Sequence, residues 1–388
     1  MSSTRRAFIT IGAGSILIPF FSKIFDWGVP EKGYIIGGKS LDDFSGPKAI
    51  FMDLENKSFK YFPVDKGVHS IVQKPSEPNK FFFFCQKPRD VCTEIELLGD
   101  SYYSQAITTK QGRYFYGHGA YTRDGKKMYC TENDYKNGRS LIVVRETERF
   151  QVIDEFEQGL NSPHDMCFLN DGKTLAIANG GIKEYLGSNN HVITTPDRLI
   201  SSLTLVDAET KKTKLQIVGD DHYSIRHLYK SPGGELAFIS IYKGIEEDDK
   251  LKPKSYPHIP MVGILYPNNE IVYMEMIPRV IELMKFHTLS VILSVKHQFI
   301  AVSTFKGGVV TFWNSKNGKF LKTMTLAAPC GLCLSYDESY IYVTSLMGSF
   351  YSISSKTLEL CGTRAEADPN INLRWSSHLL FSNHLTHA

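Results

Sequence analysis

The phrase YGHGAYTRDGKKMYCTENDY, beginning at Tyr116, recurs along the chain, and a recurring unit restricts a fold more tightly than a single motif can. It reads as a strand from His118 to Thr122, a turn at Arg123-Asp124-Gly125-Lys126, a second strand from Lys127 to Glu132, and a polar loop. Asp-Gly between two half-apolar runs signals a hairpin, because Gly accepts the positive φ of tight turns. Further copies start at Ser162 (SPHDMCFLNDGKTLAIANGG), Ser224 (SIRHLYKSPGGELAFISIY), Leu289 (LSVILSVKHQFIAVSTFKGG) and Pro329 (PCGLCLSYDESYIYVTSLMGS). A diverged copy, VHSIVQKPSEPNKFFFFCQKP, starts at Val68. Their period of roughly 45 to 60 residues is the spacing of propeller blades.

From Gly117 onward each copy is followed by two more strand-like runs. These are Ser140 to Arg145 with Phe150 to Phe156, Ser202 to Asp207 with Lys212 to Val218, and Met261 to Tyr266 with Glu270 to Met276. Val309 to Trp313 with Phe320 to Leu326, and Phe350 to Ser354 with Leu358 to Arg364, continue the series. Four strands per repeat make a propeller blade. The copies leave a remainder at each end: LRWSSHLLF from Leu373 to Phe381 is a first strand with no partner, while GYIIGG, AIFMDLE and SFKYFPV lack a first strand. A ring of blades keeps open edges unless one blade is assembled from both termini. The expected fold is all-β, a seven-bladed β-propeller whose N-terminal blade is closed by the C-terminal strand carrying His378. Two copies hold insertions between their second and third strands, Lys183 to Leu199 and Lys243 to Pro260, expected as solvated loops or as lids over a site.

Composition agrees with this class. In a chain of 388 residues, 24 Phe and 20 Tyr against 3 Trp suit pleated faces, and one propeller can absorb the whole length. A net charge of +3 is too mild to argue for nucleic acid as a partner.

At the N-terminus, Ser3-Thr4-Arg5-Arg6-Ala7-Phe8-Ile9 and the apolar run to Phe21 carry the features of a twin-arginine export signal. That run is shorter than the about 20 residues a transmembrane helix needs. Residues 1–30 are read as the signal segment and 31–388 as a single propeller domain, exported by the twin-arginine translocase to the periplasm; no clear small-x-small cleavage site follows the signal, and removal, if it occurs, falls near residues 22 to 30. The plainer alternative is a basic N-terminus before a short anchor. Cargo of that route folds before export, so it can carry a cofactor acquired in the cytoplasm.

Two apparent motifs carry no chemistry. GYIIGGKS at residues 33–40 matches the phosphate-loop pattern, but Gly46-Pro47 interrupts the helix such a loop requires, so no nucleotide is expected. Cys330-Gly331-Leu332-Cys333 is followed by Leu334 where haem attachment needs His, and it falls on a strand, so neither haem nor a redox dithiol is expected. The seven cysteines are odd in number and irregularly spaced, unlike a disulfide framework.

When the repeats are aligned on their turns, the heads of the first strands are His378, His69, His118, His164, His227, Ser290 and Cys330. The chain holds only 12 His, and five stand at this one phase. His118, His164 and His227 align best; His69 and His378 have no Asp-Gly after them, and His287 falls out of phase with Ser290. Innermost strands line the axial channel, so these residues are expected to ring one mouth of it. Neutral imidazoles are ligands for a transition metal such as iron, copper or zinc. Glu132 and Asp134, after a second strand on the same face, are candidates to join them, and Arg226 is a candidate to hold an anionic ligand. The competing reading is structural, with each His bonding a turn residue and fixing its blade.

Together with the export signal, the motifs GHG (Gly117 to Gly119), TEND (Thr131 to Asp134), PHD (Pro163 to Asp165), ANGGI (Ala178 to Ile182), SIRHL (Ser224 to Leu228) and CGL (Cys330 to Leu332) resemble an exported bacterial propeller family, domain of unknown function fifteen-thirteen. The resemblance covers nearly the whole mature chain. It implies a place in iron acquisition beside imelysin-type periplasmic proteins and di-haem oxidoreductases, and it carries over no catalytic residue. PHD departs from the PHE more usual in the family, and the stretch from His287 to Ser290 is diverged. Three functions follow: a metal-handling propeller with the His ring as its site, a lactonase or hydrolase using His118, His164, His227, Glu132 and Arg226, or a scaffold that docks other proteins. No GxSxG or HExxH motif accompanies the second.

Overall fold

Seven four-stranded antiparallel sheets make up the molecule, one per repeat. The computed structural model describes residues 32–39, 46–99, 101–157, 162–182, 184–186, 192–194, 200–220, 222–242, 260–364 and 374–383. Residues 1–30, where the signal is expected, and residues 243–259 of the second insertion lie outside the described residues. Of the first insertion, Glu184–Leu186 and Val192–Thr194 are described and pair as an antiparallel hairpin. The fold is all-β, a seven-bladed propeller, and the single helix among the described residues, α1 (Pro278–Leu283), is a short link between blades 5 and 6.

Blade 1 is assembled from both ends of the chain. From the rim inward its strands are Ser58–Pro63, Lys48–Asp53, Tyr34–Gly38 and, innermost, Leu380–Ser382. The closing pairs are Tyr34 with Ser382, Ile35 with Phe381 and Ile36 with Leu380. This strand is shorter than the sequence suggests and begins after His378. Its approach is used differently: Trp375 is fully buried beside Ile50 and Cys330, with an isolated bridge to Lys39. Gly37 admits that indole, since a Cβ there would stand 2.7 Å from it. Within the phosphate-loop pattern, Tyr34–Gly38 is therefore a paired strand, with Lys39 buried after it.

The second strand of each blade is covered by neighbours on both faces, so runs such as KFFFFC (Lys80–Cys85) and TLAIAN (Thr174–Asn179) read as continuous rather than alternating. The core lies between blades. Phe51, Phe81 and Phe83 interlock blades 1 and 2; Phe82, Phe84, Phe115 and Phe150 interlock blades 2 and 3; Ile292, Phe312, Leu334 and Ile353 interlock blades 6 and 7. Each layer of burial depends on its neighbour, so closing blade 1 is a requirement for the whole ring.

Blade 1 meets blade 2 most tightly at Gly38, where a Cβ would fall 2.2 Å from that of Val68. Gly38→Ala is predicted to lower stability by about 1–3 kcal/mol, the usual cost of overpacking. Denaturant unfolding followed by circular dichroism measures this, and an unchanged midpoint would contradict the closure described here.

Candidate metal centre

The innermost strands do not run straight to the channel mouth. In blade 2 the ladder slips between Val68 and Ser70, which frees His69; in blade 3 between Phe115 and Gly119, which frees Tyr116, Gly117 and His118. In blade 4 it slips between Pro163 and Asp165, which frees His164, and in blade 5 between Ile225 and His227, which frees Arg226. A bulge leaves its extra residue unpaired and re-aims the side chain. Blade 6, headed by Ser290, pairs without a slip.

Hydroxyls take up backbone groups that these breaks leave over. Ser70 donates to Gly117 O at 2.6 Å, Thr131 to His118 O at 3.0 Å, and Ser224 to Gly180 O at 2.8 Å. Gly117, at φ +105°, permits the closest approach, because a Cβ there would lie 2.5 Å from the His69 ring.

The three freed imidazoles converge with that of His227, which stands just past the slip in blade 5. One ring nitrogen from each of His69, His118, His164 and His227 lies within 4.8 Å of the other three. His69 Nε2 is 2.9 Å from His118 Nε2, and His164 Nε2 is 3.1 Å from His227 Nε2. Four nitrogens at the usual 2.0–2.1 Å from a tetrahedral metal ion would be separated by about 3.3 Å, so the two short pairs already stand at that spacing and the wider separations, up to 4.8 Å, close on binding an ion. The His378 ring lies 4.6 Å from those of both His118 and His227, centroid to centroid, and 5.3 Å from that of His69. His118, His164 and His227 are buried, whereas His69 and His378 keep some exposure as whole residues.

Burial, more than any neighbour, holds His69, His164 and His227 well below the ordinary imidazole pKa; the next causes are His118, Arg226 and His378 respectively. Burial likewise lowers His378 to about 3. These four rings are therefore neutral at physiological pH, the state a metal requires.

Asp165 fixes the tautomer of His118. Its Oδ1 lies 3.0 Å from His118 Nδ1, and its Oδ2 accepts the Leu228 N–H of blade 5 at 2.8 Å. With Nδ1–H donated to the carboxylate, His118 Nε2 presents a lone pair to the other imidazoles, the carboxylate–histidine arrangement of metal sites. Burial works against the Asp165 charge, yet His118 and the Leu228 N–H outweigh it and keep the carboxyl below its ordinary pKa.

His227 Nδ1, His378 Nε2 and Arg226 Nε are buried without a hydrogen-bond partner among the described residues. An unpaired buried polar atom costs about 1–3 kcal/mol, so three at one place suit a site shaped for a ligand better than one shaped for stability. The imidazoles bond one another and Asp165, and no turn residue is among their hydrogen-bond partners in the described residues.

The remaining candidates go elsewhere. Glu132 is buried, with Oε1 2.6 Å from Arg145 Nη2, and the Arg145 guanidinium lies over the Phe115 ring. Asp134 accepts the Asn137 N–H at 3.1 Å and holds its own turn. Neither belongs to the converging set. Ser290 Oγ accepts the Leu332 N–H, and Cys330 packs on Thr344 and Trp375, with burial raising its thiol to about 12. His287 lies edge to face with Phe305. Arg226 does reach the set, with Nη1 3.4 Å from His164 Nδ1.

Sequence reasoning missed three neighbours. Tyr116 lies edge-on to His164 at 5.5 Å, and Lys87 donates to the Tyr116 hydroxyl at 2.7 Å. Asp165 adjoins His164 within the PHD motif and Tyr116 immediately precedes the GHG motif, a signal that was available. Lys87 comes from a hairpin loop with no repeat signature.

The family described as "Protein of unknown function (DUF1513)" matches residues 62–386. No curated protein matches the chain. A solved structure, that of a functionally unknown protein from Desulfotomaculum acetoxidans DSM 771, is similar at 13% identity over 79% of this chain and 84% of that one, with a TM-score of 0.45.

Asp165→Asn removes the charge that orients His118 while keeping its volume. It is predicted to weaken transition-metal affinity by about 10–100-fold, the usual effect of losing such a partner, with the fold retained. Competition against a metallochromic chelator measures it; unchanged affinity would remove Asp165 from the site.

Proposed function

The chain belongs to the DUF1513 family, whose function is unknown, and we propose that it is a metal-binding propeller. The four imidazoles of His69, His118, His164 and His227 hold one transition-metal ion in the channel, and His378 caps it. The observation that carries this reading is the convergence of four ring nitrogens within 4.8 Å. All-nitrogen donors favour iron, copper or zinc over magnesium or calcium, which take oxygen.

We read the protein as working in the periplasm, in iron or copper handling. The Arg5-Arg6 signal supports export, and the family resemblance supports imelysin-type or di-haem proteins as partners. A hydrolase reading loses its carboxylate, because Glu132 is committed to Arg145. A scaffold with structural histidines leaves the unpaired imidazole nitrogens without a purpose.

Elemental analysis of protein exported and purified without a His-tag or chelator tests this. About one iron or copper ion per chain is expected in the native protein, and none in a folded His118→Ala, His164→Ala, His227→Ala variant. Metal-free protein that takes up no iron, copper or zinc on titration would overturn the reading.

A further inference from the structure

Arg226 is only 6% exposed, and no ion pair joins it to a carboxylate among the described residues. Its Nη1 faces His164 Nδ1, while its Nε has no partner. Gly180 packs beside it, where a Cβ would stand in ordinary contact with the guanidinium carbon at 3.5 Å. Lys87 stands over Tyr116, its Nζ bonded to the hydroxyl and 4.0 Å from the centre of that ring. Asp165 is committed to His118, Leu228 and Met166. The set thus holds a buried guanidinium with no carboxylate of its own among the described residues and one carboxylate already engaged.

A buried guanidinium without a counter-charge is costly, and a divalent ion among the imidazoles would make the excess of positive charge larger. The loaded centre therefore calls for an anion. We propose that the metal is held as a ternary complex with a small oxyanion, of the dicarboxylate or hydroxycarboxylate class. One anion oxygen fills an open coordination position, and another is bound by Arg226, with Lys87 at the rim. The planar guanidinium presents paired N–H donors that match a carboxylate, which a lysine at the same place would not reproduce. Specificity for the metal's form would then rest on Arg226, and affinity for the ion on the imidazoles.

This inference rests on the four-imidazole reading, and one experiment separates the two. The protein is loaded with Co(II), whose visible bands report its ligands, and titrated with oxalate, with phosphate and with chloride; cobalt content is measured on the same samples. Saturable spectral change with oxalate is expected, with phosphate weaker and chloride inert. Arg226→Gln should weaken oxalate at least tenfold with cobalt content near that of the native protein, and Arg226→Lys should recover only part of the loss. Lys87→Met, at a partly exposed position, should weaken oxalate by a smaller factor and guards against a misfolded Arg226 variant. Cobalt bound without an oxalate response, or an oxalate response unaltered in folded Arg226→Gln or, failing that, in Lys87→Met, would overturn the ternary complex alone. Phosphate binding as tightly as oxalate would overturn the carboxylate assignment. No cobalt uptake would overturn the metal centre and this inference with it.

Discussion

A straight antiparallel ladder alternates its side chains between two faces, so the inner strands of a propeller turn residues toward the neighbouring blades and leave little to aim along the channel. The site depends on breaking that rule. Register slips at His69, Tyr116–His118, His164 and Arg226 stand at the same level of four successive blades, and each turns its freed residues toward a common point. Breaking a ladder exposes backbone groups, and buried hydroxyls of Ser70, Thr131 and Ser224 satisfy several of them. Gly117 removes the one side chain that would keep His69 away. The blades supply rigidity, and the bulges supply direction.

What gathers there is unusual in its charge. Imidazoles pack against one another, edge to face at His69 and His118 and tilted at His164 and His227, a buried guanidinium stands beside them, and one carboxylate is already engaged. Low local dielectric keeps the rings unprotonated and so keeps their lone pairs available. It also makes every unpaired charge expensive, which is why the loaded centre calls for an anion as well as a metal. The same burial that makes a poor structural core makes a receptive ligand set.

Much of this was legible in the chain. The recurring hairpins set the blade count, the orphan strands at the two ends required closure by the C-terminus, and the phase of the histidines marked the channel. The bulges were not legible, because a one-residue slip leaves the local hydrophobic pattern almost unchanged while it redirects a side chain. Glu132 illustrates the error: its place after a second strand suggested the mouth, but strand alternation sets it with Met128 and Cys130 between blades, where Arg145 meets it. Asp165 stood beside a predicted ligand and was passed over, since its partner His118 belongs to another blade and only the fold brings them together.

X-ray absorption at the metal edge of the iron- or copper-loaded protein tests the central claim most directly. The account predicts a first shell of about four imidazole nitrogens near 2.0–2.1 Å, with the outer-ring scattering that histidine produces. A shell of oxygen or sulfur ligands, or one with fewer than three imidazoles, would contradict it.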